Sequence, residues 1–331
     1  MKKTEYLPQI TVMNALLCLF VVMIHLTFAP LSELIVKSVP HIVIFVINKT
    51  LGFCVPTFIF LSGFKLFKNY EKRPLYTKSF LKRRFNKIAI PYFIAVLIYM
   101  IYFGSKGWLE DGIFKSVFLG TVSAHFYYIV ILLQLYLLFP ILFRLFKRHS
   151  RATFLASAVI TLFCVIFLQS GYWDRFFGTY IFYFVFGMFW AKYDFYERIK
   201  SYMRIIAIAY LVLLILHLTF LYLSNYSGIT YSAYPVINML YVISAMIMLY
   251  SVSDDFLQKI PAIVTLSGIL GEYTYTIYLY HCLAIFIIKY DILSRFKLSV
   301  KGNFFITTVL VYLIIAILCA VSYFSKRSKK E

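Results

Sequence analysis

Apolar residues in this chain come in long, nearly unbroken runs separated by short polar clusters. They do not follow the striped repeat of a water-soluble helix or the alternation of a half-buried strand. Ten such runs lie near residues 10–30, 42–64, 88–104, 125–143, 152–170, 177–192, 204–223, 235–252, 263–288 and 304–324. About 18 or more consecutive apolar residues suffice to cross the hydrocarbon of a bilayer as a helix. The pattern therefore predicts an all-α, polytopic membrane protein with about ten transmembrane helices. The ninth run opens irregularly around Gly268 and Gly271, which puts its membrane part at 271–288. The first run follows Met1-Lys2-Lys3, as a secretory signal would. From Ile10 to about Leu31, however, it is too long for an h-region and ends without a small-x-small cleavage site. It is read as the first transmembrane helix.

Composition agrees. Residues are 62% hydrophobic and only 14% charged, with a mean hydropathy of +0.84, whereas soluble domains run nearer half and a quarter. No polar stretch is long enough for a separate soluble domain, so residues 1–331 read as one transmembrane domain. A formal charge of +20 would suit nucleic acid. The basic residues instead sit between the apolar runs, and there is no soluble module to bind nucleic acid. With the N-terminus in the cytoplasm, most of the 33 Lys and Arg fall on the cytoplasmic side, so both termini are expected inside. Lys289, Arg295, Lys297 and Lys301 resist this, lying in the last external loop. They are either a functional basic patch or a sign that the last two spans are misplaced.

Six histidines and five cysteines remain to be weighed. Cys18, Cys54, Cys164, Cys282 and Cys319 include no C-x-x-C pair and read as small packing residues rather than a disulfide framework. No metal site is expected, because no two membrane histidines or carboxylates stand at ligand spacing. Ionisable groups inside apolar spans usually face a cavity or pathway. Asn14 and His25 are eleven residues apart, which places them about 20° apart around a helix and roughly 16 Å along it. They share a groove, with His25 in the outer half of the bilayer. A catalytic histidine and one hydrogen-bonded to a neighbouring helix both satisfy that placement. Thr274, Tyr278 and His281 share another helical face by i, i+4, i+7 spacing, with Glu272 at the inner end of that helix. His125 opens the fourth span above Tyr128 and Gln134, at a boundary where His and Tyr also serve as interface anchors. His217, without polar company, reads as packing or lipid-interface, and solvent accounts for His41 and His149. The basic region 65–87 is either topogenic or a phosphate-binding surface.

In this order, these pieces resemble the acyltransferase 3 family of integral-membrane O-acyltransferases, whose members typically have ten core helices and acylate sugars of surface polysaccharides. The family's first helix carries Arg, ten residues, then His; here Asn14 and His25 stand at those places. "FIFLSGFKLF", with Ser62 and Gly63, matches the phrase that ends the second helix. "LKRRFNKIAIPYF" matches the basic entry to the third and "HFYYIVILLQLYLLFP" the fourth. "YFVFGMFWAKY" matches the sixth and "LGEYTYTIYLYH" the ninth. Within the family, the chain looks most like the short Gram-positive type without an attached esterase domain, which includes exopolysaccharide O-succinyl- and O-acetyltransferases.

The resemblance implies a multi-pass protein of a bacterial plasma membrane that moves an acyl group, acetyl by family preference, from cytoplasmic acyl-CoA to a hydroxyl of a surface glycan or lipid-linked sugar. Acyl-CoA enters as donor substrate, and no cofactor is permanently bound. The resemblance gives Lys82, Arg83, Arg84 and Lys87 the CoA phosphates and His25 the role of catalytic base. Asn14, Ser62, His125, Tyr278 and His281 are supporting or oxyanion-stabilising candidates. The family arginine is Asn14 here, which trades a fixed charge for a neutral amide. Lys2, Lys3, Arg83 and Arg84 are the neighbouring cations that could take its load. An inactive homologue acting in polysaccharide export, an exporter or flippase, and a purely structural subunit are the alternatives.

Overall fold

The computed structural model describes residues 8–168 and 171–328. Among them the chain is helical, with no strand, and nine helices are long and apolar enough to cross a membrane. The protein is an all-α polytopic membrane protein. The helices are α1 (Pro8–Glu33), α2 (Val39–Thr50), α3 (Cys54–Tyr70), α4 (Thr77–Arg84), α5 (Ile90–Ser105), α6 (Ile113–Phe118), α7 (Tyr127–Arg148) and α8 (Ser150–Phe167). They continue as α9 (Ile181–Tyr193), α10 (Phe195–Ile199), α11 (Met203–Ser227), α12 (Tyr234–Lys259), α13 (Pro261–Phe286) and α14 (Val300–Ser328). A 3₁₀ turn, Leu51–Phe53, joins α2 to α3 as one span, and a π-helical turn, Phe85–Ala89, joins α4 to α5.

Local chemistry sets several boundaries. At the start of α2 the Ser38 hydroxyl accepts from the backbone N–H of His41, and a proline stands in the first turn, both helix-start features. Gly228, at φ 66°, ends α11 in the left-handed conformation. Two expectations fail here. Glu272 does not mark a helix start: α13 begins at Pro261, because Gly268 and Gly271 sit inside the helix without breaking it. His41 is fully buried rather than at a solvated edge.

The helices form two compact units. Composition shows no boundary between them, since each division falls inside a helix rather than in a polar linker. The first unit comprises residues 1–54, 214–222 and 245–331. Its core is the stripe Ala15, Cys18, Val22 and Leu26 of α1, set against Leu270 and Ile277 of α13 and Val311 and Ile315 of α14. The Tyr312 hydroxyl donates to the Leu19 carbonyl at 2.9 Å. Asn48 of α2 donates to the Thr27 hydroxyl (2.9 Å) and the Ile24 carbonyl (3.0 Å). His217, expected to be a packing or lipid-interface residue without polar company, is buried with Nε2 3.4 Å from the Lys49 carbonyl. Interhelical polar contacts in lipid contribute about 0.6–2 kcal/mol each. Asn48→Ala is therefore expected to destabilise the protein by about 1 kcal/mol, read as a lower thermal midpoint in detergent with unchanged helix content.

The second unit, residues 55–213 and 223–244, is largely aromatic inside. Phe60 packs on Phe186 and Trp190 with ring centroids 5.4 Å away, and Phe67 on Phe146 at 5.5 Å. α3 and α9 cross at Gly63 and Gly187. A Cβ on Gly63 would meet the Phe184 carbonyl oxygen, and one on Gly187 the Phe60 carbonyl oxygen. Small residues let helix backbones approach this closely.

α9 is the expected sixth span, yet its 13 residues reach only about 20 Å. It still reverses the chain. α1 and α13 run parallel, because Asn14 pairs with Thr274, His25 with His281 and Glu33 with Lys289. Two parallel crossings need an odd number of crossings between them. The six long spans between α1 and α13 become seven only when α9 is counted.

Candidate functional site

The site lies where α1 meets α13 in the first unit. α1 carries Asn14 and His25 on its packed side because residues eleven apart return to nearly the same face. α13 contributes Thr274, Tyr278 and His281, all buried. The helix pairing brings these two stripes together. Asn14 Nδ2 donates to Thr274 Oγ1 at 3.1 Å, and that hydroxyl donates to the Leu270 carbonyl at 3.2 Å. The His25 and His281 rings are 5.0 Å apart and tilted by 58°, and the Tyr278 ring is 5.9 Å from His281.

The protonation of His281 follows from its partners. Nδ1 lies 3.0 Å from the Ile277 carbonyl and 2.9 Å from the Tyr278 carbonyl, and carbonyl oxygens only accept. Nδ1 therefore carries the hydrogen, and Nε2 of the neutral ring presents a lone pair. The Cys282 thiol is 3.4 Å from that Nε2 and donates to it. A neutral His281 thus accepts, rather than donates, on the side facing the site. As a donor to an oxyanion it must first be protonated.

Sequence reasoning missed Cys282, because cysteine in an apolar helix reads as packing. One ligand atom each of His25, His281 and Cys282 lie within 4.8 Å of one another. Spacing along a single helix gives no such cluster; the trio draws on two helices. A cavity one turn further along is lined by Leu26, Pro30, Glu33, Ile285, Lys289 and Asn303, among others. Pro30 has no N–H to give the Leu26 carbonyl, so backbone polarity lies at the cavity wall. Lys289, one of the four anomalous external cations, pairs with Glu33 there.

Ser62, His125 and the basic cluster belong to the second unit. The Ser62 hydroxyl donates to the Phe58 carbonyl of its own helix at 3.0 Å. His125 is buried, not an interface anchor. Its Nδ1 is 3.0 Å from the Ser123 hydroxyl and its ring 5.7 Å from Tyr99. Gln134 donates to the Arg175 carbonyl (2.8 Å) and accepts from the Phe177 N–H (2.9 Å), fixing the approach to α9. Lys82, Arg83 and Lys87 are exposed along α4 and the π turn. Arg83 reaches the Tyr70 hydroxyl at 3.0 Å. Arg84 is different: its guanidinium lies over the Phe80 and Tyr136 rings, 5.4 and 5.1 Å from their centroids, and so anchors α4 to α7. Lys2 and Lys3 lie outside the described residues.

Fold and site together define a polytopic membrane protein that joins polar faces of its first and ninth crossings around a pair of histidines. A family model described as an acyltransferase domain matches residues 7–324, almost the whole chain. The chain belongs to the acyltransferase 3 family and is, in general terms, a membrane acyltransferase. No curated protein and no solved structure matches it.

Proposed function

We propose that the protein is an O-acyltransferase that moves an acyl group, acetyl in the simplest case, from cytoplasmic acyl-CoA to a hydroxyl of a surface or exported glycan. The observation that carries this reading is the α1–α13 pairing. It sets His25 5.0 Å from His281 in a chain of an acyltransferase family. In the proposed reaction His25 takes the proton of the acceptor hydroxyl as its oxygen attacks the thioester carbonyl. The C–S bond then breaks, and the CoA thiolate leaves with that proton, which restores neutral His25. A free alcohol attacks poorly at neutral pH without such a base, and imidazole titrates in the useful range. His281 positions His25, Tyr278 stands beside the pair with its ring 5.9 Å from His281, and the cavity beyond Leu26 is the acceptor's approach.

The sequence change at Asn14 fits this reading. Its amide ties α1 to α13 through Thr274, so the position acts in helix registration and the charge for the donor comes from elsewhere. Lys82, Arg83 and Lys87 supply it, as cations suited to phosphate. On this reading the chain sits in a bacterial plasma membrane with its Lys- and Arg-rich loops on the cytoplasmic side, the side on which acyl-CoA is made.

Transfer of labelled acetyl from acetyl-CoA to a surface glycan by the protein in proteoliposomes tests the reading, with succinyl-CoA run beside it. Changing Lys82, Arg83 and Lys87 together to Ala is expected to raise KM for acyl-CoA by about tenfold or more, the equivalent of about 1.4 kcal/mol, with kcat little changed. Added salt should produce a smaller rise of the same kind in the wild type. Absence of both transfer and acyl-CoA binding in the wild type would favour an inactive homologue or an exporter.

A further inference from the structure

The His25–His281–Cys282 cluster has a chemistry that the acyl-transfer reading does not use. It presents two imidazoles and a thiol with ligand atoms within 4.8 Å, drawn from α1 and from adjacent residues of α13. Such a donor set is soft. Thiolate and imidazole select Cu+ and Zn2+, whereas Mg2+ and Ca2+ require oxygen ligands.

We propose that His25, His281 and Cys282 form a three-ligand site for a thiophilic d10 cation, Cu+ or Zn2+. The surroundings of His281 are those of a metal ligand. A ligating histidine almost always donates its other ring N–H to a carbonyl or carboxylate, which fixes the tautomer and aims the lone pair. His281 Nδ1 faces two backbone carbonyls at 3.0 and 2.9 Å, which leaves Nε2 toward Cys282 Sγ at 3.4 Å. Bonds of about 2.0–2.1 Å to nitrogen and 2.3 Å to sulfur put neighbouring ligands roughly 3.3–3.8 Å apart around a tetrahedral ion. His281 and Cys282 already stand at that separation, and His25, with a ring nitrogen within 4.8 Å of both, is drawn in as the third ligand when the ion binds. Binding converts the thiol to a thiolate and releases one proton. Cu+ with one thiolate is neutral overall, the cheapest charge state inside a membrane. Zn2+ keeps one positive charge and calls for an anionic fourth ligand such as hydroxide. An occupied site ties up a His25 lone pair, so the ion would reversibly inhibit transfer. That consequence rests on the acyl-transfer reading; the site itself does not.

The test uses full-length protein purified in detergent, with no acyl substrate present. Cu+ is offered with ascorbate in competition with bicinchoninate, and Zn2+ in competition with a chromophoric chelator. The wild type is expected to bind one ion per chain. Cys282→Ser and His281→Ala are each expected to weaken binding more than about 100-fold, beyond the 10–100-fold typical of outer-shell groups. Cys164→Ser, altered in the other unit, is the control that keeps full affinity. X-ray absorption at the metal edge should report two nitrogens and one sulfur. Tighter Cu+ binding supports a neutral site; tighter Zn2+ binding with an added oxygen ligand supports the same trio completed by hydroxide. Size-exclusion profiles and circular dichroism establish that each variant is folded. The proposal is overturned by folded wild type that binds neither ion stoichiometrically, or by binding that survives both Cys282→Ser and His281→Ala. Neither result bears on acyl transfer, which is measured separately.

Discussion

His25→Ala is expected to lower kcat for acyl transfer by about 10²–10⁴-fold, the range that a positioned general base contributes. KM for acyl-CoA should hold, since the cations proposed for the donor lie in the other unit. Two controls separate chemistry from folding. His217→Ala removes a different membrane histidine, a buried one whose Nε2 faces the Lys49 carbonyl; it should lower stability while leaving kcat near wild type. Thermal unfolding of His25→Ala itself should show a folded protein, so that lost transfer is read as lost chemistry. If the acceptor is an exported glycan, cells carrying the variant should still export that glycan, now unacylated. If His25→Ala keeps more than about a tenth of wild-type kcat, His25 is not the base. If it instead stops export, the exporter reading gains.

Gly187→Ala and Gly63→Ala are expected to be the most damaging single-methyl changes in the chain. In each, the new Cβ lands on a backbone carbonyl of the facing helix, that of Phe60 or of Phe184. A flexible side chain can rotate away from such a contact, but a helix backbone must move as a body. Overpacking of this kind costs about 1–3 kcal/mol and occasionally more, and the upper end applies where no side chain can yield. Gly268→Ala is the matched control. It lies inside α13, and a methyl placed there would meet nothing within 4 Å, so the change should be neutral or stabilising by up to about 1 kcal/mol. Thermal midpoints and monodispersity in detergent distinguish the three. Equal loss in all three variants would mean that the α3–α9 contact is no tighter than an ordinary helix crossing.

Much of this is legible in the linear chain, and the limits are physical. The apolar runs give the spans because a bilayer imposes length and hydropathy on each helix separately. The eleven-residue interval from Asn14 to His25 and the 274–278–281 stripe are equally local, and each describes one face correctly. What no interval encodes is which faces meet. The pairing of α1 with α13, and hence the approach of His25 to His281, depends on packing between segments about 260 residues apart. Cys282 escapes a linear reading for the same reason, since its meaning comes from a histidine on another helix. His41 and His125 read as edge residues because they stand near span ends. Loops and neighbouring helices bury them, and hydropathy does not register those. Glu272 reads as a helix start on the strength of two glycines, which a membrane helix tolerates where neighbouring helices support it. Gly63 and Gly187 stand in two of the family-like phrases, but their use becomes plain only where those phrases face each other.

The partnership of the first crossing with the ninth also bears on how the protein is made. Asn14 and its hydrogen-bond partner Thr274 are separated by 260 residues. At roughly 5–20 residues per second, ribosomal synthesis needs about 13 to 52 s to cover that interval. For that time α1 rests in the bilayer with an amide and an imidazole whose eventual neighbours have not yet emerged. A lone polar helix in lipid invites slippage, premature association or degradation. Insertion machinery that shelters α1 until α13 arrives would raise the yield of correctly assembled chains, and faster elongation through the intervening codons would do the same.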